Sequence, residues 1–312
     1  MSQRTFIAGR PEKRFARFTL FWCFAILILC LAHVGAADDL PRREWKIDGV
    51  TREALVHIPA DAKTNAAPIV FAFHGHGGSM QNAARMFHIQ TIWPEAIVVY
   101  MQGLNTPGRL TDPEGKKPGW QHGLGAENDR DLKFFDAVYA SLKKDYKVDT
   151  KRVYSTGHSN GGGFTYLLWE ARGKEFAAFA PSAAVGRALA EKNPAFAQEM
   201  ARRGIATGDA ARNTNQADHV STNSIFKPKP VLHVAGENDP LVKFTWQKMM
   251  MEALRKLNQC GEGTPWEKEK ECTIYESRVG APVVTYIHPG THKYPEEAPR
   301  MIVKFFKQQA QR

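Results

Sequence analysis

Cysteine is scarce, with four residues in 312. Cys23 and Cys30 fall in an N-terminal apolar run, which leaves Cys260 and Cys272 for the body of the chain. A zinc site built on that pair would need further ligands at zinc spacing. Long apolar runs are missing too. The uncharged stretch from Phe18 to Ala32 is too short to span a bilayer comfortably. Lysine and arginine form no continuous block in the body of the chain, and no recognition motif accompanies the basic charge, which argues against nucleic-acid binding. There is no internal repeat and no low-complexity linker.

The N-terminus carries the features of an export signal. Arg4, Arg10, Lys13, Arg14 and Arg17 precede the apolar run, and Val34-Gly35-Ala36-Ala37 then Asp38-Asp39 follow it. This order predicts a secretory signal peptide over residues 1–37, a body over 38–312, and a secreted or periplasmic protein. The alternative is an uncleaved anchor. Five basic groups and Glu12 give the leader +4 of the formal +10, so the body carries about +6. In an oxidising compartment Cys260 and Cys272 are expected to form a disulfide across a short polar loop.

The body alternates strand and helix patterns. Glu44–Val50 and Thr51–Ile58 read as an edge hairpin. Pro68–Phe73, Ala96–Met101, Phe176–Ala180, Pro230–Ala235 and Pro282–His288 are apolar runs of the kind buried parallel strands require. Helical patterns follow at Ser79–His88, Asn128–Tyr146, 161–172, 243–258 and 295–310. The alternation predicts an α/β fold, a mostly parallel sheet with helices on both faces. Gly103–Glu127 and the insertion Gly186–Lys229 break the rhythm and are expected beyond the carboxyl ends of the strands, where such sheets bind ligands.

One short stretch carries chemistry. In VYSTGHSNGGGF a β-branched and aromatic run leads into Gly157-His158-Ser159-Asn160-Gly161, and a helical pattern follows. This is the G-x-S-x-G arrangement, a sharp strand-to-helix turn that projects a serine nucleophile from the sheet edge. A phosphate-binding loop would need Lys-Ser/Thr after the last glycine, where Phe164-Thr165 stands. A serine needs a base, and the base an orienting acid. Asp239, in the turn after Pro230–Ala235, is the expected acid, with Glu237 as the alternative. His292, in the loop before the last helix, is the expected base, with His288 as the alternative. The backbone N–H groups of Asn160 and His76 (or Gly75), the latter in His74-Gly75-His76-Gly77-Gly78, are expected to receive an oxyanion. His74 and His76 also resemble an H-x-H metal pair, but no Asp-His completes it, and no metal or organic cofactor is expected.

These segments, HGHGGS (74–79), Trp120, NDRDLKFFDAV (128–138), DTKRVYSTGHSNGGGFTYLL (149–168), VAGENDPLV (234–242) and GTHKYP (290–295), resemble the polyhydroxybutyrate depolymerase and feruloyl esterase group of α/β-hydrolases, which includes secreted carbohydrate esterases. The resemblance implies a triad of Ser159, Asp239 and His292. It also implies hydrolysis of acetyl or feruloyl esters of carbohydrates. Alternatives are a polyester depolymerase, a serine peptidase and a non-catalytic binding protein on the same fold. His158 departs from the methionine or alanine common there. Trp120 in the Gly/Pro-rich loop, Tyr294 beyond the base and Trp246 at the start of the helix after the acid loop are expected to offer aromatic faces to the substrate.

Overall fold

The computed structural model describes residues 40–108, 111–191 and 226–310, together with Met1 and Gln198. The leader and most of the 186–229 insertion lie outside the described residues. The short helix Arg187–Glu191 opens that insertion.

Ten strands form one sheet. In chain order they are β1 (Arg42–Ile47), β2 (Val50–His57), β3 (Ala67–Phe73), β4 (Ile97–Met101), β7 (Val148–His158), β8 (Ala178–Ser182), β9 (Val231–Gly236), β10 (Cys260–Pro265), β11 (Cys272–Ser277) and β12 (Val283–His288). Two-residue strands β5 (Leu104–Asn105) and β6 (Pro118–Gly119) pair with each other outside that sheet. The order across the sheet is β1-β2-β4-β3-β7-β8-β9-β12-β11-β10. The six strands from β4 to β12 run parallel, and antiparallel pairs flank them on both sides.

The parallel core follows from residue type. Every residue of β3, β4, β8 and β9 is buried, because helices cover both faces. Alternate side chains of β3 belong to different cores. Ile69, Phe71 and Phe73 pack with residues of helices α3 (Arg130–Asp145), α4 (Asn160–Arg172) and α6 (Phe244–Leu257). Val70 and Ala72 pack instead with α1 (Met80–Phe87) and α7 (Ala298–Lys307). Two short helices, α2 (Ile89–Ile92) and α5 (Arg187–Glu191), complete the described set.

The polar stretch between Cys260 and Cys272 is not a disulfide-closed loop. It runs out along β10 and back along β11, an edge hairpin that extends the sheet. Cys260 stands opposite Ser277, five residues from Cys272, which places the two cysteines roughly 16 Å apart along the hairpin. A disulfide needs Cα atoms within about 7 Å. Both thiols are free, and the buried Cys272 Sγ lies 3.4 Å from Met301 Sδ. The expected Cys260–Cys272 bridge is therefore corrected: its two ends sit at opposite ends of a hairpin.

Candidate active site

Ser159 occupies the single residue between β7 and α4, at φ 56° and ψ −119°. This backbone is strained for a residue with a side chain. The surrounding glycines explain how the turn fits. A Cβ on Gly157 would lie 2.3 Å from Gly161 O, and one on Gly161 would lie 2.2 Å from Phe73 O. Gly162 would meet Ser182 O at 2.6 Å, whereas Gly163 faces open space. The turn is anchored by the Ser159 N–H, which donates to Ser182 O at 2.9 Å.

The acid and base loops follow β9 and β12, which are paired neighbours. Glu237 N–H donates to His288 O and Asn238 N–H to Gly290 O, at 2.9 and 3.0 Å. Gly236 permits this lacing, since a Cβ there would stand 2.3 Å from Thr291 O. The result brings three distant residues into line. His292 Nε2 is 2.8 Å from Ser159 Oγ, and His292 Nδ1 is 2.8 Å from Asp239 Oδ2. The alternatives separate clearly. Glu237 is exposed, and His288 Nδ1 accepts from Gly290 N–H at 3.1 Å as a loop brace.

Asp239 is held by more than His292. Its Oδ1 accepts from the backbone N–H groups of Leu241 and Val242 at 2.8 and 2.9 Å. Burial raises its carboxyl, but the hydrogen bond and charge of His292 and the two backbone donors overcome that and bring it below the ordinary value. His158 lies beside His292, ring centroids 5.0 Å apart, with Nδ1 3.2 Å from Ser182 Oγ. Burial, with the nearby His292, pushes His158 down to about 3, so it stays neutral beside the base.

The His74–Gly78 loop lies against the serine turn. A Cβ on Gly75 would be 3.5 Å from Ser159 Cβ. His74 and His76 take separate partners. His74 donates through Nδ1 to Gly75 O at 2.7 Å and accepts at Nε2 from Gly103 N–H at 3.0 Å, and burial pushes it down to about 4. His76 Nε2 faces Asp112 Oδ2 at 3.1 Å. Among the described residues no group of three or more His, Cys, Asp or Glu is placed to hold a metal. Asn160 opens α4, where its N–H has no intrahelical acceptor. Its side chain clasps the Trp120 backbone, accepting from N–H at 2.7 Å and donating to C=O at 3.2 Å.

Trp120 and Tyr294 do not offer the expected faces to a ligand. Trp120 is wholly buried, stacked on Phe164 at 5.2 Å, and its Nε1–H donates to His74 O at 2.9 Å. It is a brace beneath the His74–Gly78 loop. Tyr294 is buried between Phe87 and His158, with ring centroids 5.0 and 5.4 Å away. Trp246 is buried as well. Polar residues sequence reasoning missed stand behind the acid: Gln247, His233 and Tyr166, all buried. They come from α6, β9 and α4, so no local pattern announces them.

Comparison with known proteins adds the relatives. Residues 119–263 match the prolyl oligopeptidase family. The chain is 33% identical over 132 residues to a probable feruloyl esterase C of Aspergillus clavatus, covering 41% of this chain and 44% of that protein. It is 24% identical over 214 residues to a bifunctional acetylxylan esterase/xylanase of Neocallimastix patriciarum, covering 68% of this chain and 25% of that one. The chain spans about half the length or less of these curated relatives. Among solved structures, the acetyl xylan esterase from Aspergillus awamori superposes with a TM-score of 0.55 at 12% identity, over 86% of this chain and 99% of that chain. Likenesses to peptidases and to esterases thus fall on one scaffold, and the chain has the α/β-hydrolase fold.

Proposed function

We propose that this chain is a serine carboxylic ester hydrolase acting on acetyl or feruloyl esters of carbohydrates, with Ser159 as nucleophile, His292 as base and Asp239 as orienting acid. The observation that carries the reading is the line from Asp239 Oδ2 through His292 to Ser159 Oγ, with both links at 2.8 Å. Asp239 fixes the proton on Nδ1, which leaves Nε2 bare to accept the serine proton. Oγ then bonds to the acyl carbon as its proton moves to Nε2. The carbonyl oxygen takes the negative charge, which the backbone N–H groups of Asn160 and His76 would receive. Collapse breaks the bond to the alkoxide, which leaves with the proton from Nε2. Water repeats the two steps on the acyl-enzyme and regenerates the serine.

The carbohydrate side of the substrate rests on the names of the relatives, feruloyl esterase and acetylxylan esterase. It does not rest on aromatic faces, since Trp120 and Tyr294 are buried. The family match to prolyl oligopeptidases favours a second reading, a serine peptidase. The leader motif supports export. Among the described residues no helix is long and apolar enough to cross a membrane.

The test is a turnover panel: p-nitrophenyl acetate, methyl ferulate, acetylated xylo-oligosaccharide, polyhydroxybutyrate granules and peptide p-nitroanilides. Ser159→Ala is expected to lower kcat on the first by about 10³-fold or more while the circular dichroism is unchanged. Asp239→Asn and His292→Ala are expected to lose activity without multiplying the loss of Ser159→Ala. Wild-type turnover in a folded Ser159→Ala protein rejects the triad. Cleavage of peptides in preference to every ester rejects the ester reading in favour of the peptidase.

A further inference from the structure

Behind Asp239 the hydrogen bonds do not stop. Gln247 Nε2 lies 3.3 Å from Asp239 Oδ2 and 2.7 Å from Val242 O. Gln247 Oε1 lies 3.3 Å from His233 Nε2, and His233 Nδ1 lies 2.7 Å from the Tyr166 hydroxyl. All three side chains are buried, with Gln247 and His233 at 0% exposure.

The polarity of this chain is determined by its two ends. Asp239 Oδ2 and Val242 O are both acceptors, so the Gln247 NH2 must face them and its carbonyl must face His233. A carbonyl facing His233 Nε2 requires the proton on that nitrogen. Burial pushes His233 down to about 4, so it is neutral and Nδ1 is bare. Nδ1 then requires a donor, and the Tyr166 hydroxyl is in place. Burial raises the Tyr166 hydroxyl well above its ordinary value, so it keeps its proton. Each group therefore fixes the orientation of the next. Asp239 Oδ2 receives two side-chain donors, from His292 and Gln247, and Oδ1 receives two backbone donors.

We propose that Tyr166, His233 and Gln247 form a positioning chain that holds the Asp239 carboxylate in the orientation His292 needs, so that Gln247 acts on the reaction through Asp239. The proposal rests on the serine hydrolase reading above. Buried polar groups are satisfied in most folds for stability alone. Here the donors converge on the one carboxylate that faces the candidate base. Removing the Gln247 donor takes away one of the two side-chain donors that orient Oδ2 and strips one counter-dipole from the charge.

The experiment measures kcat and KM on p-nitrophenyl acetate from pH 5 to 9 for wild type, Gln247→Met, Gln247→Glu and Tyr166→Phe. The titratable groups that act on Asp239 are His292, His158 and His288, and His233 is the one facing Gln247. They are unchanged in all three variants. Gln247→Met, which loses a hydrogen bond to the carboxylate, and Tyr166→Phe, which leaves His233 Nδ1 without its donor, are expected to lower kcat about 10-fold while KM stays within about twofold. Gln247→Glu keeps the shape but sets two carboxyls against each other. They share one proton at low pH, and ionisation of the second repels Asp239. Its kcat is therefore expected to fall with rising pH where that of wild type is level. Wild-type kcat and pH profile in all three variants overturn the proposal. A kcat unchanged with only the melting temperature lowered also overturns it, because that is the signature of a stability role. Should the Gln247 variants not fold, Tyr166→Phe decides alone, since it removes one oxygen and keeps the ring on Trp169. Full activity in Ser159→Ala, by contrast, is a failure of the hydrolase reading and not of this chain.

Discussion

Gly161 and Gly163 stand two residues apart in one helix and carry opposite consequences. A methyl on Gly161 would press on Phe73 O at 2.2 Å and on His74 O at 2.5 Å, both backbone atoms that cannot swing aside. Gly161→Ala is expected to cost at least about 1–3 kcal/mol by overpacking and to cut turnover, because the shift falls on the serine turn and the His74 loop together. A methyl on Gly163 meets nothing within 4 Å. Gly163→Ala is expected to stabilise by about 0.5–1 kcal/mol, since a helix interior prefers alanine. Melting temperature and p-nitrophenyl acetate turnover on the two variants check both signs, and equal behaviour contradicts the packing argument. The same contrast shows what is legible at this scale. Ser159, Asp239 and His292 can be read because each sits in a turn after an apolar strand, a local pattern. Gln247 and His233 cannot, because a buried Gln in a helix and a His in a strand look like packing until the partner is known. Trp120 misled for the converse reason: a tryptophan in a Gly/Pro-rich segment reads as exposed, whereas Asn160 and His74 draw it inside.

Between elements, the start of α3 is held to the sheet by a buried ion pair. Arg52 on β2 contacts Asp131 Oδ1 at 2.7 Å with both side chains almost wholly buried, and its guanidinium lies over the Phe134 ring at 4.4 Å. Asp131 Oδ2 accepts from Gln121 N–H at 2.8 Å, and Gln121 Oε1 accepts in return from Asp131 N–H at 3.0 Å. The segment that carries Trp120 is thereby fastened to a helix and to β2, the second strand of the sheet. Asp131→Ala leaves an uncompensated buried guanidinium and is expected to cost about 3–5 kcal/mol. Urea unfolding measures it, and the double variant Arg52→Met, Asp131→Leu is expected to recover part of the loss because no unpaired charge remains. A single variant within about 0.5 kcal/mol of wild type rejects this role. The central strands and most helices were readable as apolar runs and amphipathic stretches, with ends within a few residues. The β10–β11 hairpin was not. Most of β10 is exposed, and Cys260-Gly261-Glu262-Gly263 presents no apolar alternation for a period to reveal.

Across the whole molecule, stability comes from two apolar layers, one on each face of a ten-stranded sheet, with no covalent brace between the described cysteines. Reading Cys260 and Cys272 as a pair drew on the expected compartment, but compartment sets only whether a disulfide persists, while backbone distance sets whether it forms. The hairpin puts them too far apart, and burial also pushes the Cys272 thiol up to about 12, away from the reactive thiolate. Reductant is therefore expected to leave the melting temperature of the protein unchanged. If the leader is removed on export, taking Cys23 and Cys30 with it, the mature protein should begin near Ala37 or Asp38. Unfolded without reductant and alkylated, it should then gain two labels by intact mass. In the native state only Cys260 should label readily, because Cys272 is buried against Met301. A mass with no labels before reduction and two after it, together with a melting temperature that falls in reductant, would place a bridge where the hairpin register separates its ends and would require a different pairing of β10 with β11.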